Sequence, residues 1–282
     1  MNRSVITRLE HFRATHTSKV IEVGGERWTY VSSGQGNDAF LLLPGALASS
    51  DSLFHLILEL EQRSRVVAVT LTLAASSISE ILEALLAILD VEGVDRAAVI
   101  GSSYGGWLAQ ELAARHPERV RSLVLLHTFP MTPSDRRKFR RWGNSGLRTI
   151  RLLPPRLFDH LLRLRVTRLL LSPLQAARHR DLDSWTQLVN ETVGNGTLRA
   201  MARHQARVLM SRAIEIVEYQ NYGGPVLIVE SDNDPVVRSK ARQALKREYP
   251  DAQVHTFTGT GHISALLAPK ALTQLLARLS WQ

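Results

Sequence analysis

The chain has no cysteine among its 282 residues. That excludes disulfides, a cysteine nucleophile and thiolate metal sites, and it accords with a cytoplasmic location. No apolar run reaches the roughly 18 residues needed to span a bilayer. Met1 to Lys19 carries Arg3, Arg8, Glu10 and Arg13 without an apolar core, so no signal peptide is expected. Aromatics are sparse at 6%, and few of them stand among the arginines. Nucleic acid therefore ranks last among partners. No histidine pair stands at a metal-ligand spacing with a supporting carboxylate, so no metal is expected. The excess of positive charge lies in one segment. Residues 129–220 carry 17 basic and 7 acidic side chains, net +10, against −3 for 1–128 and +2 for 221–282.

What is present reads as an α/β protein. Val20–Val23 and Arg27–Val31 form a strand pair around Gly24-Gly25. Ala39–Leu43, Val66–Val69, Arg96–Ile100 and Leu123–Leu126 are short apolar runs typical of buried parallel strands. Helices are expected between them, one over about Ser52 to Gln62. Another opens at the capping box Ser77-x-x-Glu80 and carries Ile81, Leu82, Leu85, Ile88 and Leu89 on one stripe. From Pro130 to Tyr219 the strand pattern gives way to Leu- and Arg-rich helical sequence. Strands resume at Pro225–Val229 and Gln253–Phe257, with helices near Val237–Glu248 and Ser264–Leu279. The expected fold is a mostly parallel central sheet flanked by helices. Its core is 1–128 with 221–282, and 129–220 is a helical insertion.

Gly101-Ser102-Ser103-Tyr104-Gly105 sits between an apolar strand and a helix. A strand, a sharp turn and a helix expose the middle serine at a strained elbow, where the glycines admit close backbone packing. Ser102 lies one position off the tip and packs locally. Downstream, Asp234 follows the strand Val226–Val229, and His262 follows the last strand. Serine, then aspartate, then histidine is one known chain order of a catalytic triad. In open sheets such groups gather at the carboxyl ends of the strands. Imidazole titrates near neutrality and can take a serine proton, while a carboxylate holds its tautomer.

On these motifs the chain resembles the α/β-hydrolase family over nearly its full length. Leu41-Leu42-Leu43-Pro44-Gly45-Ala46 resembles its oxyanion loop, with Pro44 where His is common. The resemblance implies Ser103 as nucleophile, His262 as base and Asp234 as acid, with Asp232 as its competitor. It implies an oxyanion hole from the backbone N–H groups of Ala46 and Tyr104, a helical cap over 129–220, and no cofactor. The expected activity is hydrolysis of a small to medium apolar carboxylic ester through an acyl-enzyme. Acyl transfer, carbon–carbon bond hydrolysis and a low-turnover binding role are the alternatives. The short loop Thr70–Ser76 and the run Gly105-Gly106-Trp107-Leu108-Ala109-Gln110 are also similar to maspardin-like members.

After the strand ending at Leu126, some relatives carry the acid. This chain offers His127 and Thr128, and His127 reads as a pocket residue rather than a second base. The remaining histidines, including His55 and His204, read as ordinary surface or core groups. In the basic segment, Leu157, Leu161 and Leu164 with Phe158 and Leu162 are expected to cover the pocket, leaving the arginines in solvent. Attraction to an acidic substrate or an anionic membrane surface is the second reading of that charge.

Overall fold

The computed structural model describes residues 4–130, 136–176, 181–193, 197–212 and 222–278. Its eight strands are β1 (Lys19–Val23), β2 (Glu26–Ser33), β3 (Ala39–Leu43), β4 (Arg65–Thr70), β5 (Ala97–Ser102), β6 (Val120–Leu126), β7 (Val226–Ser231) and β8 (Gln253–Phe257). They form one sheet in the order β1-β2-β4-β3-β5-β6-β7-β8. The β1–β2 and β2–β4 pairs are antiparallel, and the pairs from β4–β3 onward to β8 are parallel. Gly24 and Gly25 turn the first hairpin with φ of 61° and 79°, angles that side chains disfavour.

The central strands are buried on both faces because they alternate between two cores. Leu41, Leu43, Val67, Val69 and Val99 enter one, while Phe40, Leu42, Val66, Ala68 and Ile100 enter the other. Each of the larger of these side chains contributes about 1.5–3 kcal/mol on leaving water. Helices α1 (Val5–Thr15) and α2 (Phe54–Leu60) cover the second core, and α3 (Ile78–Val91) and α4 (Tyr104–Arg115) cover the first. The α3 stripe is wholly buried. Its capping box forms as expected: Glu80 N–H donates to Ser77 Oγ at 3.2 Å, and Ser77 Oγ donates back to Glu80 Oε1 at 2.9 Å. The expected Ser52–Gln62 helix is a 3-10 turn at Ser50–Leu53 running into α2.

Helix α1 was not expected from the polar N-terminus. It buries Val5, Ile6, Leu9 and Phe12, a narrow stripe among charges. The antiparallel edge is tied down by Glu92, whose carboxylate accepts from Lys19, Tyr30, Ser32 and Arg65 at 2.7–2.9 Å.

Between β6 and β7 the described chain forms α5 (Arg136–Leu152), α6 (Pro155–Ala176), α7 (Leu182–Val193) and α8 (Thr197–Arg212). After β7 come α9 (Ser239–Glu248), α10 (Ser264–Leu267) and α11 (Pro269–Arg278). Two expectations for the insertion need correction. Leu157, Leu161 and Leu164 face outward, and the inward face of α6 is Phe158, Leu162, Val166, Leu169 and Leu170. Both faces of α6 are apolar, so periodicity alone could not say which one turned inward. Nor do all the arginines face solvent: Arg212 is fully buried and pairs with the buried Glu111 of α4.

Candidate active site

Ser103 links β5 to α4 as the helix cap, with φ 51° and ψ −111°, a conformation costing about 1–3 kcal/mol for a residue with a side chain. The turn is held from both sides. Ser103 N–H donates to Leu126 O at 2.8 Å, and Thr128 Oγ1 donates to Ser103 O at 2.7 Å. A Cβ at Gly101 would strike the backbone of Gly105 and Gly106, and one at Gly105 would strike the Leu43 and Pro44 carbonyls. The elbow therefore requires glycine on both sides of its serine. Ser102 lies beside it at the end of β5 and also borders the cavity.

Asp234, in the turn after β7, meets His262, in the loop after β8. His262 Nδ1 lies 2.9 Å from Asp234 Oδ2 and 3.1 Å from Oδ1. Asp232 instead accepts from the N–H of Gly259 at 2.9 Å. Asp234 Oδ1 also accepts from the N–H groups of Val236 and Val237 at 2.8 and 2.9 Å. Burial raises the pKa of Asp234, but the hydrogen bonds from His127 and His262 overcome it and hold the carboxyl well below its usual range. An ionised carboxylate only accepts, so His262 Nδ1 is the donor and Nε2 is the ring's basic nitrogen.

His127 reaches the same carboxylate. Its Nδ1 lies 3.1 Å from Asp234 Oδ2 and its Nε2 lies 2.7 Å from Ser264 Oγ. Burial, only partly offset by Asp234, pushes its pKa down and keeps the ring neutral. Nδ1 then donates to Asp234 and Nε2 accepts from the Ser264 hydroxyl. The ligand-type atoms of His127, Asp234 and His262 all lie within 4.8 Å of one another, a cluster no sequence spacing indicated. Here both Nδ1 atoms are spent on the carboxylate.

Ser103 and His262 line one cavity of about 320 Å³, and no hydrogen bond joins them among the described residues. Such bonds commonly tighten only when substrate binds. The cavity is walled by Leu162, Leu169, Trp185, Leu188 and Met201 from the insertion, and by Ala46 and Leu47 from the core. Among the described residues no lysine or arginine lines it, and Asp51 supplies its one carboxylate.

The backbone N–H groups of Ala46 and Tyr104 have no acceptor among the described residues, and Tyr104 opens α4, whose dipole favours negative charge there. Two adjacent residues of α8 hold these positions. Tyr104 Oη donates to His204 Nε2 at 3.1 Å, and His204 Nδ1 donates to Ala75 O at 2.7 Å. Gln205 Nε2 donates to Ala46 O at 3.2 Å. Sequence reading passed over both His204 and Gln205. They lie about a hundred residues or more from their partners, and no local motif marks them.

A mostly parallel sheet with a strained serine at a strand–helix elbow, and an aspartate–histidine pair at the carboxyl ends of later strands, defines an α/β-hydrolase architecture. The chain belongs to the alpha/beta hydrolase fold family, whose model matches residues 38–269. It is 30% identical over 186 residues to the 2-hydroxymuconate semialdehyde hydrolase of Pseudomonas putida, a match spanning 64% of this chain and 60% of that enzyme's length. Among solved structures it is similar to Cfl2 from Burkholderia cenocepacia, with a TM-score of 0.70 and 21% identity over 92% of this chain and 94% of that one. It is likewise similar to the enol-lactonase from Burkholderia xenovorans LB400, with a TM-score of 0.70 and 16% identity over 92% and 98%.

Proposed function

We propose that the protein hydrolyses a neutral carboxylic ester or lactone through an acyl-enzyme on Ser103. His262 Nε2 takes the Ser103 hydroxyl proton as Oγ attacks the carbonyl carbon. The N–H groups of Ala46 and Tyr104 receive the oxyanion as it forms. The carbon–oxygen bond to the alcohol then breaks, and His262 returns its proton to the leaving oxygen. Water attacks the acyl-enzyme by the same route and frees Ser103. Asp234 holds the imidazole's tautomer and stabilises its cation. The observation that carries this reading is the Asp234–His262 pair, which leaves Nε2 basic on the wall that also holds Ser103.

The helices of 129–220 act as a cap that supplies most of the apolar wall. That wall favours a medium-length acyl or alkyl group over a small charged one. The enol-lactonase similarity supports including lactones.

The Pseudomonas putida relative favours a second reading, hydrolysis of a muconate semialdehyde-like compound, with a carbon–carbon bond broken on the same residues. A muconate skeleton bears carboxylate; among the described residues no lysine or arginine lines this cavity, and its one carboxylate, Asp51, is already paired with Arg13 at 2.8 Å. The neutral ester is therefore the primary reading. The deciding experiment compares p-nitrophenyl butyrate with 2-hydroxymuconate semialdehyde at matched concentrations. A kcat/KM higher for the ester supports the proposal, and the reverse order replaces it with the second reading.

A further inference from the structure

The outer face of α6 takes no part in the proposed chemistry. Leu157, Leu161 and Leu164 follow a spacing of four and three, which aligns them on one side of a helix. They are 45%, 49% and 56% exposed, and Leu152, just before the helix, is 79% exposed. Arg151, Arg156, Arg165 and Arg168 are exposed along the same stretch, with Arg168 continuing the leucine stripe. Between residues 151 and 168 there are five arginines and one acid, Asp159. The Asp159 carboxylate accepts from the backbone N–H of Arg199 at 3.0 Å, so it is committed to α8.

A row of leucines flanked by arginines is costly in water and matches a surface with an apolar interior under an anionic layer. We propose that this face of α6 docks the protein on an anionic lipid membrane surface. A second copy of the chain fits less well, because a two-fold contact through this stripe would bring Arg165 and Arg168 toward their own counterparts. No described helix is long and apolar enough to cross a membrane, so the contact is peripheral. The opposite face of α6 supplies Leu162, Val166, Leu169 and Leu170 to the cavity, so one helix meets lipid outside and roofs the pocket inside.

The test is flotation of the full chain with phosphatidylcholine vesicles, with and without phosphatidylglycerol, at low salt. It compares the parent, the triple variant Leu157→Gln/Leu161→Gln/Leu164→Gln and the double variant Arg165→Gln/Arg168→Gln. Thermal unfolding midpoints check that each variant is folded. The parent should float with the phosphatidylglycerol vesicles and not with the neutral ones, and each variant should bind roughly tenfold more weakly or worse. If the triple variant does not fold, the double variant carries the test. No binding by the parent, equal binding to neutral vesicles, or full binding by a folded variant overturns the proposal. So does a parent that floats with neither and self-associates through the leucines, shown by sedimentation as loss of the oligomer in the triple variant.

Discussion

His127 and His262 share one oxygen of Asp234, at 3.1 and 2.9 Å, with their rings 5.5 Å apart. The neutral His127 acts as a fixed donor that keeps the carboxylate ionised and aimed, while His262 keeps a free basic nitrogen. His127→Ala is expected to lower kcat on the order of tenfold to a hundredfold with little change in KM, because misplacing the carboxylate misplaces His262. Asp234→Asn should cost about 10⁴-fold, and Asp232→Asn little. Steady-state kinetics on one ester ranks the three. A loss in Asp232→Asn exceeding that in Asp234→Asn would reassign the acid.

Consecutive residues of α8 grip both proposed oxyanion positions, His204 through the Tyr104 side chain and Gln205 through the Ala46 carbonyl. Gln205→Ala should therefore lower kcat by roughly tenfold, although Gln205 contributes nothing to the proton transfers. Tyr104→Phe leaves a buried His204 nitrogen without its donor and should destabilise the fold by about 1–3 kcal/mol. Kinetics and chemical denaturation of the two variants check this. A Gln205→Ala enzyme with unchanged kcat would remove α8 from the oxyanion account.

Acid should loosen the antiparallel edge in a defined window. Burial alone would raise the pKa of Glu92, but the bonds from Lys19, Ser32, Tyr30 and Arg65 outweigh it and hold the group at about 2. The folded value lies below the unfolded one near 4.5, so the stabilisation is complete above that value and is lost as pH falls toward 2. Burial likewise lowers His55 to about 4, so its contribution fades from pH near 6.5 down to 4. Unfolding midpoints measured from pH 7 to 2.5 should fall throughout. Glu92→Gln should start lower at pH 7 and fall less steeply below pH 4.5. Parallel curves for the two proteins would contradict the Glu92 assignment.

Rate on a neutral soluble ester should depend weakly on ionic strength. Among the described residues the cavity has no cationic lining, and the exposed arginines are screened within about 10 Å at 0.1 M salt. A salt titration of kcat/KM on p-nitrophenyl butyrate measures this. A steep decline would mean that the arginine field acts on substrate after all.

The parts of this molecule that were legible in advance are those with local chemical reasons. Gly101 and Gly105 announce the elbow because no other residue fits between those carbonyls and that helix. Ser77 and Glu80 announce α3 because the cap is built within one turn. Alternating double-sided burial explains why Phe40–Leu43 reads as a continuous apolar run. What escaped was decided by tertiary placement. Helix α1 carries its four buried residues among enough charge to look like a loose terminus. The two apolar faces of α6 are equivalent until α7 and α8 pack on one of them. His204 gains its role from a helix folded back over the elbow, and the junction at 213–221 lies outside the described residues.

The central claim is that Ser103 is an activated nucleophile, and covalent labelling tests it most directly. The folded protein is treated with a fluorophosphonate and digested, and the modified peptide is mapped by mass spectrometry. The account predicts one stoichiometric adduct on Ser103, abolished in Ser103→Ala together with roughly 10⁴-fold or more of the esterase turnover. A folded protein that takes no label, or that is modified at Ser102 or Ser264 while Ser103 stays free, would contradict it.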